Sequence, residues 1–416
     1  MAVSEQERGY IRDMARKYME YAQSPEMESR RRAWSSHHAL HFTRPLIYIR
    51  AIPFEEFLTE KQLKCTDPVC RALELHFLQT EYRSKVADDY ITEPFYTISA
   101  CIKTPKLGPW GLPAELGERS MAHGAAAYHA SILEEEDIEK VVSLPHEIDE
   151  EATRRKAAPY EELVGDILPI FIDREGVLSV MWQNDISTPL AKLRGLEQLM
   201  WDMYDSPEWL HSLVGRMQKM ILKNMDETEK AGDYSLADQR NQAMPYVDGL
   251  ERPNPAVYGV KPSQMWGYMA AQEFTIVGPD LFKEFMFDYQ KPILERYALS
   301  AYGCCEDLTN KIELVKTLKN LRRIAVSPFA DLRKCAEQIG PDYILSWRPN
   351  PSSMVSFGVD EDMVRKYLRD GFEILDANHC KFDITLKDVE TVSGDATAII
   401  RWTDIVREEI DRRYGK

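Results

Sequence analysis

The stretch Tyr302-Gly303-Cys304-Cys305-Glu306-Asp307 closes an apolar run at residues 294–302 and sets the pattern for the second half of the chain. An apolar run that ends in small and polar residues is typical of a strand, and residues 308–321 continue with helical spacing. The alternation repeats, with strands predicted at 324–327, 343–346 and 382–387 and helices at 331–339 and 364–370. Strands that alternate with amphipathic helices predict a parallel sheet with right-handed crossovers.

Two thiols and a carboxylate directly follow the predicted strand at 294–302. In parallel α/β sheets, ligands bind at the carboxyl ends of the strands. We therefore expect Cys304, Cys305 and Glu306 at the floor of an active site. Earlier in the chain, strands are predicted at 46–49, 170–172, 178–181, 234–237 and 265–268, and a helix at 207–231.

The composition favours a soluble protein of a reducing compartment. The chain has 416 residues, 44% hydrophobic and 29% charged, which allows two average domains or one α/β barrel with insertions. No apolar run approaches the ~20 residues that span a bilayer, and the N-terminus lacks the pattern of a signal peptide. Seven cysteines, an odd number, argue against a disulfide framework. We expect a cytoplasmic protein without a membrane partner.

The charge balance disfavours nucleic acid as a partner. The formal net charge is −16, and the only basic run, Arg30-Arg31-Arg32, has Glu28 beside it. Binding of phosphates needs clustered Lys and Arg residues. Metal-binding spacing occurs once near the N-terminus, where His37 and His41 are four residues apart on a predicted helix, although a polar helix face explains the same pattern.

Three segments of the chain resemble the uroporphyrinogen decarboxylase superfamily, a group of (β/α)8 barrels. They are Arg194-Gly195-Leu196-Glu197-Gln198 with residues 202–208, Ile276-Val277-Gly278-Pro279-Asp280 with its continuation to 285, and Ile339-Gly340-Pro341-Asp342 with its continuation to 346. The resemblance covers roughly residues 160–410. It implies an α/β fold with a single (β/α)8 TIM barrel of this type over residues 44–416, preceded by a helical N-terminal extension over residues 1–43.

Within the superfamily, short motifs distinguish members that catalyse different reactions. Porphyrinogen decarboxylases carry Arg-Gln-Ala-Gly-Arg after the first strand, where this chain has Arg50-Ala51-Ile52-Pro53-Phe54, which disfavours that activity. Corrinoid-linked methyltransferases carry a His-x-Cys zinc pair where this chain has Tyr302-Gly303-Cys304, so the Cys matches and the His does not. The Tyr-Gly-Cys-Cys-Glu segment resembles corrinoid-dependent O-demethylases. The resemblance implies transfer of a methyl group from a methoxylated aromatic compound to the cobalt of a corrinoid (cobalamin) on a partner protein, with release of the phenol.

An aryl methyl ether needs a general acid or a Lewis acid at its oxygen, because phenolate leaves reluctantly. The candidates follow successive predicted strands. The catalytic candidates are Tyr302, Glu306, Asp185 and Asp238. The substrate-binding candidates are Asn184, Gln239, Trp182, Trp266, Gln272, Glu273, Trp347, Arg348, Lys387 and Asp388. The candidate ligands for a Zn2+ ion are Cys304, Cys305 and Glu306. In this interpretation Tyr302 protonates the ether oxygen, Arg348 holds a ring carboxylate or phenolate, and the tryptophans stack on the ring.

Each assignment has a structural alternative. The thiols can be small buried hydrophobic groups, and strand-end Asp185 and Asp238 can cap the following helices. The alternative functions are a zinc-thiolate methyltransferase that passes methyl from methylcobalamin to a thiol, a decarboxylase, and a non-catalytic scaffold that binds a corrinoid protein. A homodimer remains open. The Gly-, Pro- and Trp-containing segment 106–127 is expected to form a loop or lid over the pocket.

Overall fold

The computed structural model describes residues 3–103, 107–117 and 128–415. Its helices, numbered in chain order, are α1 Glu5–Ala22, α2 Pro25–His38, α3 Pro68–Arg83, α4 Glu150–Val164, α5 Ser187–Arg194, α6 Leu196–Asp205, α7 Pro207–Ala231, α8 Pro279–Phe282, α9 Asp288–Leu294, α10 Ile312–Val315, α11 Leu332–Ile339, α12 Pro351–Met354, α13 Glu361–Ala377 and α14 Ala398–Tyr414. Its strands are β1 Ile47–Ile49, β2 Tyr96–Ser99, β3 Glu115–Leu116, β4 Tyr128–His129, β5 Ile170–Asp173, β6 Trp266–Met269, β7 Leu299–Tyr302, β8 Leu321–Val326, β9 Ile344–Trp347 and β10 Lys381–Leu386.

The central layer is a curled parallel sheet of six strands in the order β1-β10-β9-β8-β7-β6. Helices connect successive strands from β6 to β10, as the alternation in the sequence predicted. The strands predicted at 46–49, 265–268, 324–327, 343–346 and 382–387 are confirmed with ends shifted by a few residues. The helix predicted at 207–231 is confirmed with the same bounds as α7. It ends at Gly232, whose φ of 75° gives the left-handed turn that favours glycine there.

The prediction of a closed eight-stranded barrel is wrong for the described residues, because the sheet is a half-barrel with β1 and β6 at its edges. Residues 178–181 form turns, and residues 234–237 lead into a short 3-10 helix, Leu236–Asp238. In both segments, side chains accept hydrogen bonds from backbone N–H groups that a neighbouring strand would otherwise bind. Leu178 N donates to Asn224 Oδ1 at 3.0 Å, and Ser235 N donates to Asp238 Oδ2 at 2.6 Å. Strand β5, predicted as part of the barrel, pairs with β2 in a separate sheet.

The two faces of the curled sheet differ in polarity because successive side chains of a strand point to opposite sides. The convex face carries apolar residues that pack under the helices; Trp347 lies there, with its ring 5.0 Å from that of Tyr367 on α13. The concave face carries the buried polar residues Arg323, Ser346 and Asp383 from three neighbouring strands. This polar interior lies beneath the candidate site.

The N-terminal helices pack in two places. Helix α1 lies against α3 and α4 over a small apolar core of its own, which includes Ile11, Leu73, Phe77 and Leu163. Helix α2 lies near the sheet, where Trp34 stacks on His38 and donates its Nε1 proton to Asp89 O at 2.7 Å. Because α2 ends at His38, His37 and His41 do not share a helical face; His37 Nε2 lies 3.4 Å from Asp383 Oδ2.

Candidate active site

A cavity of about 270 Å3 opens at the carboxyl ends of β7, β8, β9 and β10. The loops after these strands supply its walls, which are Cys304, Cys305, Pro328, Phe329, Arg348, Pro349, Asn350, Pro351, Ser352, Lys387, Asp388 and Glu390. Gly303 turns the chain out of β7 with a φ of 96°, and a Cβ there would lie 2.7 Å from Leu308. Glycine at this position therefore lets the cysteine pair follow the strand directly.

Lys387 organises the polar end of the cavity. Its ammonium group donates to Cys304 Sγ and to Cys305 Sγ, at 2.9 Å in each case, and lies 2.6 Å from Asp388 Oδ2. The two sulfur atoms are 3.5 Å apart, and Cys305 Sγ lies 3.2 Å from Asp388 Oδ2, so the single proton of the Cys305 thiol faces two acceptors, Cys304 Sγ and Asp388 Oδ2. Asp388 has a φ of 56°, a left-handed conformation that is uncommon outside glycine and is often found at functional sites.

The cysteine pair carries one readily lost proton. The hydrogen bond from Cys305 lowers the pKa of Cys304 despite its burial, and the charges of Arg348 and Lys387 lower it further. The same hydrogen bond, together with burial, raises the pKa of Cys305. Burial lowers the pKa of Lys387, but the charges of Cys304 and Asp388 outweigh it, so the pKa of this ammonium is raised. The arrangement is therefore a thiolate, a thiol and an ammonium group in one hydrogen-bonded cluster.

Arg348 is almost fully buried at the wall of the same cavity. Its Nη1 donates to Cys304 O at 2.7 Å, while its buried Nε has no hydrogen-bond partner in the protein. A buried guanidinium donor without a partner is expected to meet water or a ligand. With Lys387, it gives the cavity two cationic groups beside one thiolate.

Glu306, predicted both as a catalytic residue and as a zinc ligand, lies beneath the cysteine loop. Its Oε1 accepts a hydrogen bond from Ala271 N at 2.8 Å and its Oε2 accepts one from Cys304 N at 2.7 Å. Burial raises the pKa of this carboxyl group. Both oxygens thus hold the backbone that positions Cys304, and Glu306 is not among the residues that line the cavity.

The arrangement does not fit a zinc ion. The ammonium group of Lys387 occupies the space between the thiols where a shared metal would lie, and Glu306 turns both oxygens to backbone N–H groups. A structural or catalytic zinc site requires at least three protein ligands. In the part of the chain that the structure describes, no group of three or more His, Cys, Asp or Glu side chains is arranged to hold a metal ion.

A second, inner cavity of about 10 Å3 lies beside β6 and has room for about one water molecule. Four buried polar atoms without a hydrogen-bond partner belong to its lining residues: Asn184 Oδ1, Asp238 Oδ1, Trp266 Nε1 and Tyr268 OH. Native proteins rarely leave such groups unpaired, so the cluster marks a place for water or for a polar group of a ligand.

Tyr268 connects the inner cavity with the cysteine cluster. Burial raises the pKa of its hydroxyl, and the charges of Cys304 and Glu306 raise it further, which reflects their proximity. The ring of Trp182 lies 5.8 Å from that of Tyr268 in an edge-on arrangement. Tyr268 was missed in the sequence, although it lies two residues after Trp266 in the same strand, and that spacing places both side chains on one face.

Several predicted residues lie away from both cavities. Tyr302 is on the convex face, where its hydroxyl donates to Gln290 Oε1 at 2.5 Å, and Trp347 packs under α13. The other predicted residues are hydrogen-bonded within the protein: Asp185 accepts from Thr188, Glu273 accepts from Ser187, Gln272 donates to Glu273, and Gln239 donates to Leu236 O and Glu251 O.

The described part of the segment predicted as a lid, residues 107–117, brings a buried Trp110 beside Gln183, to which its Nε1 donates at 3.2 Å. Lys106 and residues 118–127 of that prediction lie outside the described residues. The sequence analysis missed several residues that line the cavity, Phe329 and Asn350 among them. They follow β8 and β9, and their position after a strand is the one signal that could have identified them.

Comparisons with known proteins leave the family open. No family model matches the chain, and no curated protein is significantly similar to it. No helix among the described residues is both long and apolar enough to cross a membrane.

Proposed function

We propose that this protein is a methyltransferase that transfers a methyl group from an aryl methyl ether to the cobalt of a corrinoid on a partner protein. The observation that carries the proposal is the ammonium group of Lys387, which is held by two thiols at the wall of an open cavity beside Arg348. Such a cavity supplies what this reaction requires, namely a proton donor and positive charge where a phenolate leaves.

The ordinary acidity of a lysine ammonium group is close to that of the phenol that leaves. A phenol and a lysine ammonium group both have ordinary pKa values of about 10. Despite burial, the charges of Cys304 and Asp388 raise the pKa of Lys387, so its ammonium group is the weaker acid of the two. It therefore donates a hydrogen bond to the ether oxygen and transfers its proton only as negative charge builds up there while the carbon–oxygen bond breaks. The cysteine pair and Asp388 hold the ammonium group in place through hydrogen bonds of 2.6 to 2.9 Å.

The remaining residues orient the substrate. The guanidinium of Arg348 stabilises negative charge on the departing oxygen or on a ring carboxylate. Trp182 and Tyr268 offer aromatic surfaces near the cysteine cluster, and Trp266 lies behind them at the inner cavity. When bound by its partner protein, the corrinoid supplies a strong cobalt nucleophile that accepts the methyl group. The protein's own residues bind the ether, orient it and deliver one proton.

The test uses purified full-length protein, free cob(I)alamin in place of the partner, and methoxybenzenes whose phenols differ in acidity. We expect methylcobalamin and phenol in equal amounts, with rates that depend weakly on the acidity of the phenol. Lys387→Met should reduce the rate by a factor of about 100 to 10,000 for weakly acidic phenols, the usual contribution of a general acid, and much less for nitrophenols. Lys381→Met, at the opposite end of β10, is the matched control.

Equal rates for Lys387→Met and the wild-type protein across the panel would remove Lys387 from the mechanism. If no ether reacts but methylcobalamin loses its methyl group to an added thiol, the transfer runs in the other direction and the proposal is wrong. Binding of cob(I)alamin without turnover of any ether would favour the non-catalytic scaffold instead. Zinc content is measured on the same samples, and a stoichiometric bound zinc that Cys304→Ser abolishes would contradict the assignment of the cluster to Lys387.

A further inference from the structure

The cysteine pair differs from the other cysteines in the described part of the chain. Cys304 and Cys305 both line an open cavity, with sulfur atoms 3.5 Å apart. Cys65, Cys70, Cys335 and Cys380 are buried, and burial raises the pKa of the Cys335 and Cys380 thiols to about 12. Cys101 is partly exposed but does not line this cavity. Proximity and access therefore coincide only at Cys304 and Cys305.

We propose that Cys304 and Cys305 form an oxidation-sensitive dithiol, which hydroperoxides convert to a disulfide between adjacent residues at the wall of the active-site cavity. The site has three features that favour oxidation of a cysteine: a thiolate stabilised by neighbouring cations, an open approach through the cavity, and a second thiol in contact. The inference deepens the proposed function, and rests on it only where loss of methyl transfer is concerned.

The chemistry balances with hydrogen peroxide as the oxidant. The Cys304 thiolate attacks one peroxide oxygen, so that an S–O bond forms, the O–O bond breaks, and hydroxide leaves with a proton from the Lys387 ammonium group as water. The Cys305 thiol then attacks the sulfenic sulfur. The S–S bond forms as the S–O bond breaks, and the sulfenic hydroxyl leaves as a second water after taking the thiol proton, directly or through Lys387. In sum, a dithiol and one peroxide give a disulfide and two waters.

The geometry makes this disulfide reversible. The sulfur atoms must approach from 3.5 Å to about 2.05 Å, a small movement for two flexible side chains. The Cα atoms of adjacent residues lie about 3.8 Å apart, whereas most disulfides join Cα atoms at about 4.4 to 6.8 Å. The bond is therefore strained, and strained disulfides are reduced more readily than structural ones. Thiol reductants should restore the pair.

Oxidation also removes the anion that holds Lys387. In the reduced protein the ammonium group donates to both sulfur atoms, and Cys304 carries the negative charge. A disulfide is neutral and a weak acceptor, so Lys387 keeps only Asp388 as a strong partner. We expect the cluster to rearrange and methyl transfer to fall at least tenfold on oxidation, and to recover on reduction.

The test treats the full-length protein with a small excess of hydrogen peroxide under native conditions. We expect the peptide that contains residues 304–305 to lose two hydrogens, while five of the seven thiols remain titratable after denaturation. Cys305→Ser should stop at a sulfenic acid that dimedone traps on Cys304. Cys101→Ser is the matched control, and in this variant the thiols of Cys304 and Cys305 should be oxidised at the wild-type rate. Phenylarsine oxide, which bridges neighbouring thiols, should protect the pair from peroxide.

The proposal is overturned if Cys304 and Cys305 react no faster than Cys101, or if their oxidation gives only mixed adducts and sulfinic acid. Mass and thiol titration do not depend on methyl transfer, so the two proposals can fail separately. Disulfide formation in a protein that transfers no methyl group refutes the proposed function alone. Methyl transfer that survives complete disulfide formation refutes the link between oxidation and activity.

Discussion

Replacement of Arg323 tests the polar interior beneath the cavity. Arg323 on β8 reaches Asp383 on β10 across the intervening strand, with Nη2 2.8 Å from Asp383 Oδ1 and 2.7 Å from Ser346 Oγ. Both charged side chains are at most 1% exposed. Burial would raise the pKa of Asp383, but the charge of Arg323 and the hydrogen bond to His37 outweigh it and lower this pKa below its ordinary value.

We expect Arg323→Met to lower the free energy of unfolding by about 3 to 5 kcal/mol at pH 7, since it leaves Asp383 buried without a cation. This is a large part of the ~5 to 15 kcal/mol that stabilises a typical domain. The sign of the pH effect follows from Asp383. In the wild-type protein its lowered pKa adds stability that is present above the unfolded pKa and is lost as the pH falls. Without Arg323 the pKa of Asp383 rises, so the variant should be least stable near pH 7 and should recover relative to wild type towards pH 4.

Urea unfolding at pH 7 and pH 4 measures these differences. The double variant Arg323→Met with Asp383→Leu removes both charges and should come within about 2 kcal/mol of wild type, because an apolar pair avoids the desolvation cost. Lys366→Met, which breaks the exposed Lys366–Asp370 pair on α13, should have no measurable effect. The reasoning would be refuted if Arg323→Met lowered the free energy of unfolding by less than about 1 kcal/mol. It would also be refuted if the decrease in the double variant equalled the sum of the decreases in Arg323→Met and Asp383→Leu, each measured alone.

Two further predictions concern the stability of the folded protein. Trp347→Ala should lower the free energy of unfolding by about 3 to 5 kcal/mol in urea, because Trp347 fills the space between β9 and α13 against Tyr367 and Phe372. Burial raises the pKa of Glu93 to about 7, so the folded protein holds this proton more tightly and its stability should fall as the pH rises from about 4.5 to 7. Glu93→Gln should remove a fall on the order of 2 kcal/mol, measured by urea unfolding at pH 5 and pH 8.

The sequence predicted the elements whose signals are local. Residues 299–386 alternate between apolar strands and amphipathic helices, and the structure has β7, β8, β9 and β10 there. The helix predicted at 308–321 shrinks to α10, because a short loop returns the chain to β8. The apolar runs at 178–181 and 234–237 look like strands, but Asn224 and Asp238 take their backbone donors. The contact with Asn224 depends on a neighbour distant in the chain, whereas Asp238 lies three residues after Ser235 and forms a local capping box with it. Neither kind of competition leaves a mark on periodicity.

The candidate site also shows what the sequence alone could not predict. Chain order placed Cys304 and Lys387 at the carboxyl ends of β7 and β10, which suggested that both belong to one site but gave no distance between them. Strands β8 and β9 lie between β7 and β10, so three strand spacings of about 4.8 Å would separate their ends by about 14 Å in a flat sheet. The observed contact of 2.9 Å between Lys387 Nζ and Cys304 Sγ requires the sheet to curl towards its concave face. That curvature turns a predicted pair of zinc ligands into partners of an ammonium group, and alternation of strands and helices cannot encode it.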